Sequence, residues 1–373
     1  MKILHIAAFE GNVGDNASHL GFCQILDSTL ENYEVDRIEI RKAYKNYDKP
    51  DKVRFDESFV KLANSYNLVV FGGGGFLDYW VEGSSNGTTI DISTLILDQI
   101  QTKILITSVG SNPHRKVPEE NYEKFRQFLN YVSESDKIKI ALRNDGSIVS
   151  IKRDFGEEFL VNLDEILDHG YFYQPGKHWR LPIDGKYVAL NITDDQLNMQ
   201  GGLTEERDWY YGELESLIAW LGKNEYKVVL IPHIHQDIEA IGLLQSKLPV
   251  QLVRKHIVVA PCIQSDEGTE LTFNLYKNAD FTIASRYHAN VCSLKFGTPT
   301  IGLSPLERIA YTHDQLASKS SNIEISEGFS VRIIDLIENH CFEIDKIRRN
   351  VERLKVQTLK FYSDYFASLI KSN

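Results

Sequence analysis

The sequence has no paired-cysteine pattern. Its four cysteines, Cys23, Cys262, Cys292 and Cys341, are scattered, with no C-x-x-C among them. That argues against a disulfide framework and a zinc ribbon, and reads as reduced thiols in a core. Positive charge is not in excess either. The formal net charge is −11, which excludes bulk nucleic-acid binding, since that needs a basic footprint. A small anion can still be held by a few well-placed groups in an acidic background. No stretch reaches the roughly 18 consecutive apolar residues of a membrane span. The apolar run at Met1–Ala8 is too short for a signal peptide, so the expected location is the cytoplasm. Short-period repeats and low-complexity tracts are also missing.

What is present is an alternation. A chain of 373 residues exceeds the usual size of one core, so two domains are expected. Short β-branched runs predict strands at Lys2–Ala8, Asn67–Phe71, Lys103–Val109, Lys137–Leu142, Lys186–Ile192, Lys227–Pro232, His256–Ala260, Asp280–Ala284 and Thr300–Leu303. Runs such as Leu68-Val69-Val70-Phe71 are apolar throughout, as in parallel strands covered on both faces. Amphipathic helices are predicted between them, for example over Asp15–Leu30, Glu119–Val132, Glu205–Leu221 and Leu271–Lys277. Strands alternating with helices make a doubly wound α/β protein. A boundary falls near Tyr173-Gln174-Pro175-Gly176-Lys177-His178, after which Tyr187–Leu190 starts a second set of units. Two such halves facing each other leave a cleft at the carboxyl ends of the strands, where ligands sit.

Five motifs fall at strand ends. Gly11-Asn12-Val13-Gly14-Asp15-Asn16-Ala17 follows the first strand, with Asp15 placed to cap a helix. It is not a complete dinucleotide fingerprint, and a plain turn explains it as well as a ligand site. Gly72-Gly73-Gly74-Gly75 costs about 0.5–1 kcal/mol per glycine relative to alanine; four in a row favour backbone N–H groups facing a ligand. Arg143 ends a strand ahead of Asn144-Asp145-Gly146-Ser147, placed either to clamp an anion or to pair with Asp145. Ile231-Pro232-His233-Ile234-His235-Gln236-Asp237 puts His233 and His235 on one side if the strand continues. A metal there lacks a second ligand cluster, so cleft-lining polar groups, with Asp237 capping the next helix, are the preferred reading.

The fifth motif is Ser285-Arg286-Tyr287-His288-Ala289-Asn290. Ser285 reads as the N-cap of a helix that stops at Gly297. His288 then lies in the first turn, where unpaired N–H groups favour an anion and disfavour imidazolium. Arg286 adds a fixed charge. A histidine merely packed at a helix start is the plainer alternative.

These motifs together resemble those of the polysaccharide pyruvyltransferases. Arg286-Tyr287-His288-Ala289 with its helix and the Gly297-Thr298-Pro299 that follows is similar to the hallmark of that family. Gly11–Ala17, Val70–Gly75 and Pro232-His233 with Asp237 match its other landmarks in order. The chain departs from the pattern at Arg143-Asn144-Asp145, at Asn191-Ile192-Thr193, where a basic residue is expected, and at Asp168-His169-Gly170.

The resemblance implies two Rossmann-like domains facing across a cleft, as in GT-B glycosyltransferases: residues 1–175 on the acceptor side, 176–330 on the donor side, and helices over 331–373. It implies phosphoenolpyruvate as donor, a sugar or lipid-linked oligosaccharide as acceptor, a cyclic pyruvate ketal as product, and neither cofactor nor metal. By matching positions, His288, Arg143 and Arg308 are carried over as catalytic or donor-binding. Arg286, Ser285, Asn12, Asp15, Gly73, Gly74, Gly75, His233 and His235 are the expected substrate-binding residues. Two rivals fit the same fold: a glycosyltransferase using a nucleotide sugar, and a binding protein without turnover. The basic cluster Lys346, Arg348, Arg349, Arg353 and Lys355 suggests peripheral membrane contact. Its admixture of Glu343, Asp345 and Glu352 favours a helix packed back on the other domain. A homo-oligomer is left open.

Overall fold

The computed structural model describes residues 1–176, 183–197, 207–339 and 342–372. Lys177 and His178 of the expected boundary, Glu205 of an expected helix start and Cys341 lie outside them. The described chain divides into two compact units. One holds Met1–Gly11, Asp15–Tyr173 and Leu354–Asn373; the other holds Asn12–Gly14 and Gln174–Arg353.

The first unit is a parallel sheet of β1 (Lys2–Ala7), β2 (Glu34–Glu39), β3 (Leu68–Gly74), β4 (Lys103–Val109), β5 (Ile138–Arg143) and β6 (Leu163–Ile166). Their order is β2-β1-β3-β4-β5-β6, and every pairing is parallel. The order reverses between β1 and β3. This is the switch point of a flavodoxin-like sheet, and its ligand crevice lies outside the carboxyl ends there. The two predicted glycine motifs flank this point. β3 is buried at all seven positions, as its unbroken apolar run requires.

The first three glycines of the tract, Gly72 to Gly74, belong to β3, and Gly75 follows it. Gly73 sits at φ +69°, and a Cβ there would collide with the Ser18 hydroxyl. A Cβ on Gly72 would come 3.0 Å from His5 Nε2, and one on Gly75 2.8 Å from Asp78 Oδ2. The close approach that demands glycine at these positions is made by the protein's own side chains.

The second unit is a parallel sheet of β7 (Tyr187–Asn191), β8 (Lys227–Leu230), β9 (Ile257–Val259), β10 (Phe281–Ala284), β11 (Thr300–Ser304) and β12 (Asn322–Glu324). The order is β12-β11-β10-β7-β8-β9, the 3-2-1-4-5-6 arrangement of Rossmann sheets. Its switch point lies between β7 and β10. Both units carry their own apolar core, one around Val69, Ile104, Phe125 and Ile140, the other around Val188, Leu214, Ile283 and Phe329.

The final helix, Ile344–Ser372, serves both units in turn. Within the first, Tyr362 is fully buried. Its hydroxyl bonds to His169 Nε2 at 2.6 Å and to Thr107 Oγ1, and the Thr358 hydroxyl accepts the Leu167 N–H at 2.9 Å. In the second, Arg348 lies against Gly297. Removing the Tyr362 hydroxyl leaves two buried partners short. Tyr362→Phe is therefore expected to cost about 1–3 kcal/mol, read as a lower urea midpoint at unchanged slope; an unchanged midpoint would show that the network adds nothing.

Candidate active site

The second unit gathers its polar groups at the switch point. Asn191 ends β7 and is fully buried. Its Oδ1 accepts the Arg286 N–H at 2.8 Å, and its Nδ2 donates to the Ile231 carbonyl at 2.9 Å. One amide thereby ties the segments leaving β10 and β8 to the end of β7. The Asn191 carbonyl also accepts the Ser285 N–H at 3.1 Å. These bonds hold Ser285 and Arg286 in extension.

Hence the expected N-cap is corrected. Arg286 occupies the cap position (φ −91°, ψ 142°) and the helix runs Tyr287–Leu294. Ser285 is buried, and its Oγ makes no hydrogen bond. His288 becomes the second helical residue, still within the first turn, half-buried and edge-on to Tyr287 with ring centroids 5.0 Å apart. The helix is anchored to its neighbour, Glu307–Leu316, through Asn290. Asn290 Oδ1 meets His313 Nε2 at 2.8 Å, and His313 Nδ1 meets Ser321 Oγ at 2.8 Å. Arg308 lies in the first turn of that neighbouring helix and is half-buried.

Arg286 is the central cation. Its Nε and Nη2 donate to Asp237 Oδ1 at 3.0 and 2.5 Å, and its Nη2 and Nη1 donate to Asp195 at 2.6 and 3.3 Å. Asp237 also caps the helix His235–Lys247 as expected: its Oδ2 accepts the His233 N–H at 2.8 Å and the Ile234 N–H at 3.4 Å. The His233 ring bonds through Nε2 to the Tyr276 hydroxyl at 2.9 Å.

Because β8 stops at Leu230 and a helix begins at His235, strand alternation does not continue. His233 is buried and His235 exposed, so the two do not share a side. Burial, with help from Arg286 and His288, pushes the His233 imidazole down to about 3.

The first-unit candidates are placed as follows. Arg143 ends β5 and is 2% exposed. Its Nε donates to Asp145 Oδ2 at 2.6 Å, and Asp168 lies 3.8 Å from Nη1. Asp15 is not the residue before its helix but the third residue of it, Val13–Thr29. Instead it accepts from Arg41 Nη2 at 2.5 Å, and Arg41 also pairs with Glu39. Asn12, grouped with the second unit, precedes that helix and accepts the Gly14 N–H on its Oδ1 at 2.8 Å. Asn191, Asp195 and Tyr276 were missed by motif reading. The signal for Asn191 was present as a departure, an amide where a basic residue is usual.

A family model described as polysaccharide pyruvyl transferase matches residues 12–307. The chain belongs to this family. No curated protein matches it in sequence. Among solved structures, a glycosyltransferase from Rickettsia africae is similar at 12% identity and TM-score 0.58, over 100% of this chain and 99% of that one. The UDP-GlcNAc 2-epimerase of Methanocaldococcus jannaschii is similar at 10% identity and TM-score 0.53, over 95% and 100%. Identities this low speak for the fold alone, which is that of two Rossmann-like units. In this pyruvyl transferase relative, no helix among the described residues is long and apolar enough to cross a membrane.

The buried imidazoles give the protein an acid limit. Burial lowers His169 to about 4 and His313 to about 3, as it does His233. Each is neutral when folded, while an unfolded histidine takes up a proton near 6.5. Their contribution to stability is therefore full above about pH 6.5 and is lost as pH falls toward each folded value. The slope is about 1.4 kcal/mol per pH unit per histidine. Urea midpoints should drop steadily from pH 6.5 to 4.5; a flat profile there would refute neutral burial.

Proposed function

We propose that the protein transfers the pyruvyl group of phosphoenolpyruvate to a sugar of a polysaccharide, or of its lipid-linked precursor, and forms a cyclic ketal. The single observation that supports this best is the second unit's switch point. There a histidine in the first turn of a helix, His288, follows a buried arginine, with Arg308 at the start of the adjacent helix. The helix start and two guanidinium groups suit a donor with a phosphate and a carboxylate. Membership in the family makes pyruvyl transfer the reaction to test first.

His288 is assigned the proton. With the donor's anion bound beside the helix start, the imidazolium form protonates the methylene carbon of the donor, which leaves C2 with oxocarbenium character. A hydroxyl of the acceptor forms a bond to C2 and returns its proton to His288. The C2–O bond to phosphate then breaks, and a second hydroxyl of the same sugar attacks C2. The proton of that hydroxyl leaves with phosphate, and the ketal closes. Arg286 and Arg308 stabilise the anionic groups through the sequence. Arg143 enters only through its place at the carboxyl end of β5, because its guanidinium is already held by Asp145.

The experiment is incubation with phosphoenolpyruvate and defined pyranosides, following phosphate release and the ketal methyl signal by NMR. His288→Ala should remain folded and lose about 10²–10⁴-fold in rate; near-wild-type turnover would remove His288 from the mechanism. Arg308→Ala should chiefly weaken donor binding. Calorimetry with phosphoenolpyruvate checks that, and an unchanged affinity would take Arg308 out of the donor site.

A further inference from the structure

The guanidinium proposed to meet the donor already has two carboxylates on it, and they are not equivalent. Asp237 is fully buried, and its second oxygen holds the backbone of His233 and Ile234. It cannot leave without undoing a helix start. Asp195 lies beyond the end of β7, its side chain 29% exposed. Besides Arg286, its Oδ1 accepts from the Thr193 hydroxyl at 2.6 Å, and its carboxylate also takes its own backbone N–H. It lays one oxygen on Nη2 and the other on Nη1. That end-on fork is the arrangement by which a guanidinium grips any carboxylate or phosphate.

The charges conflict with direct docking. Two carboxylates on one guanidinium leave the spot net negative, and a donor carrying phosphate and carboxylate would be repelled from it. A buried guanidinium left short of a partner is costly in turn. Both constraints are met if one carboxylate exchanges for another.

We propose that Asp195 is a place-holder for the anionic group of the donor. Its carboxylate occupies the Arg286 subsite in the empty protein and gives way when a carboxylate or phosphate of the donor arrives. The inference rests on Arg286 being part of the donor site. Asp195 then sets donor affinity, because apparent affinity falls with the fraction of molecules in which the subsite is open. It also sets selectivity. A ligand with no anionic group cannot replace Asp195 on the guanidinium and is rejected.

The test compares the full-length wild type with Asp195→Asn, and with Asp195→Ala in case the amide itself stays on Arg286. Inorganic phosphate, pyruvate and phosphoenolpyruvate are each titrated by calorimetry. The thermal midpoint without ligand verifies that both variants fold. All three anions should bind more tightly to the variants, on the order of ten-fold if the open state is about a tenth populated. Unchanged or weaker binding of the anions by both variants overturns the proposal, including the case in which none binds at all. Tighter binding of phosphate and pyruvate, with no pyruvyl transfer from phosphoenolpyruvate by the wild type, would keep the place-holder and discard the donor. Wild-type transfer with no gain for any anion would do the reverse.

Discussion

The second unit depends on one amide. A parallel sheet whose order reverses must part its chain at the reversal, because the segments leaving β7 and β10 go to opposite faces. Backbone groups at the parting lose their strand neighbours, and buried groups without partners are costly. Asn191 supplies both an acceptor and a donor there, to Arg286 and Ile231. Extension of the Ser285–Arg286 segment follows from that, and so does the start of the His288 helix one residue later than a serine cap would put it. Arg286 is then delivered to Asp237, whose other oxygen organises the start of the next helix.

The sequence disclosed the interior of both sheets and one edge, β9, and hid the other three margins. Strands with apolar residues on both faces, such as Lys103–Val109, are readable because burial on two sides leaves little choice of residue. β2, β6 and β12 went unread. Each is an edge strand; Glu34–Glu39 has four charged residues in six, with no apolar alternation, and none of its positions is fully buried, and the other two are four and three residues long. These three are specified by their one neighbour and by where the chain must return, whereas the edge strand β9 was readable from its β-branched run Ile257-Val258-Val259.

The candidate site was legible in the same uneven way. His288 and Arg286 stood out because a histidine and an arginine at a helix start have few structural uses. Arg143 read equally well as a clamp or as the partner of Asp145, and the structure places it with Asp145 and Asp168. The four glycines suggested a ligand; the atoms closest to a Cβ built on each belong to His5, Ser18, Phe76 and Asp78. What pattern could not supply was pairing at a distance. Asp195 meets Arg286 across 91 positions of chain, and Asp237 meets it across 49.

The last helix has a consequence for the order in which the molecule can be made. Tyr362 joins Thr107 across 255 positions and His169 across 193. On a ribosome, the sheet of the first unit emerges complete while the residue that fills its interior is still unsynthesised. Until then its interior stays open beside Thr107 and His169, with apolar surface that other chains can reach. Maturation of the first unit thus waits on residues made after those of the second, which has by then had the means to fold.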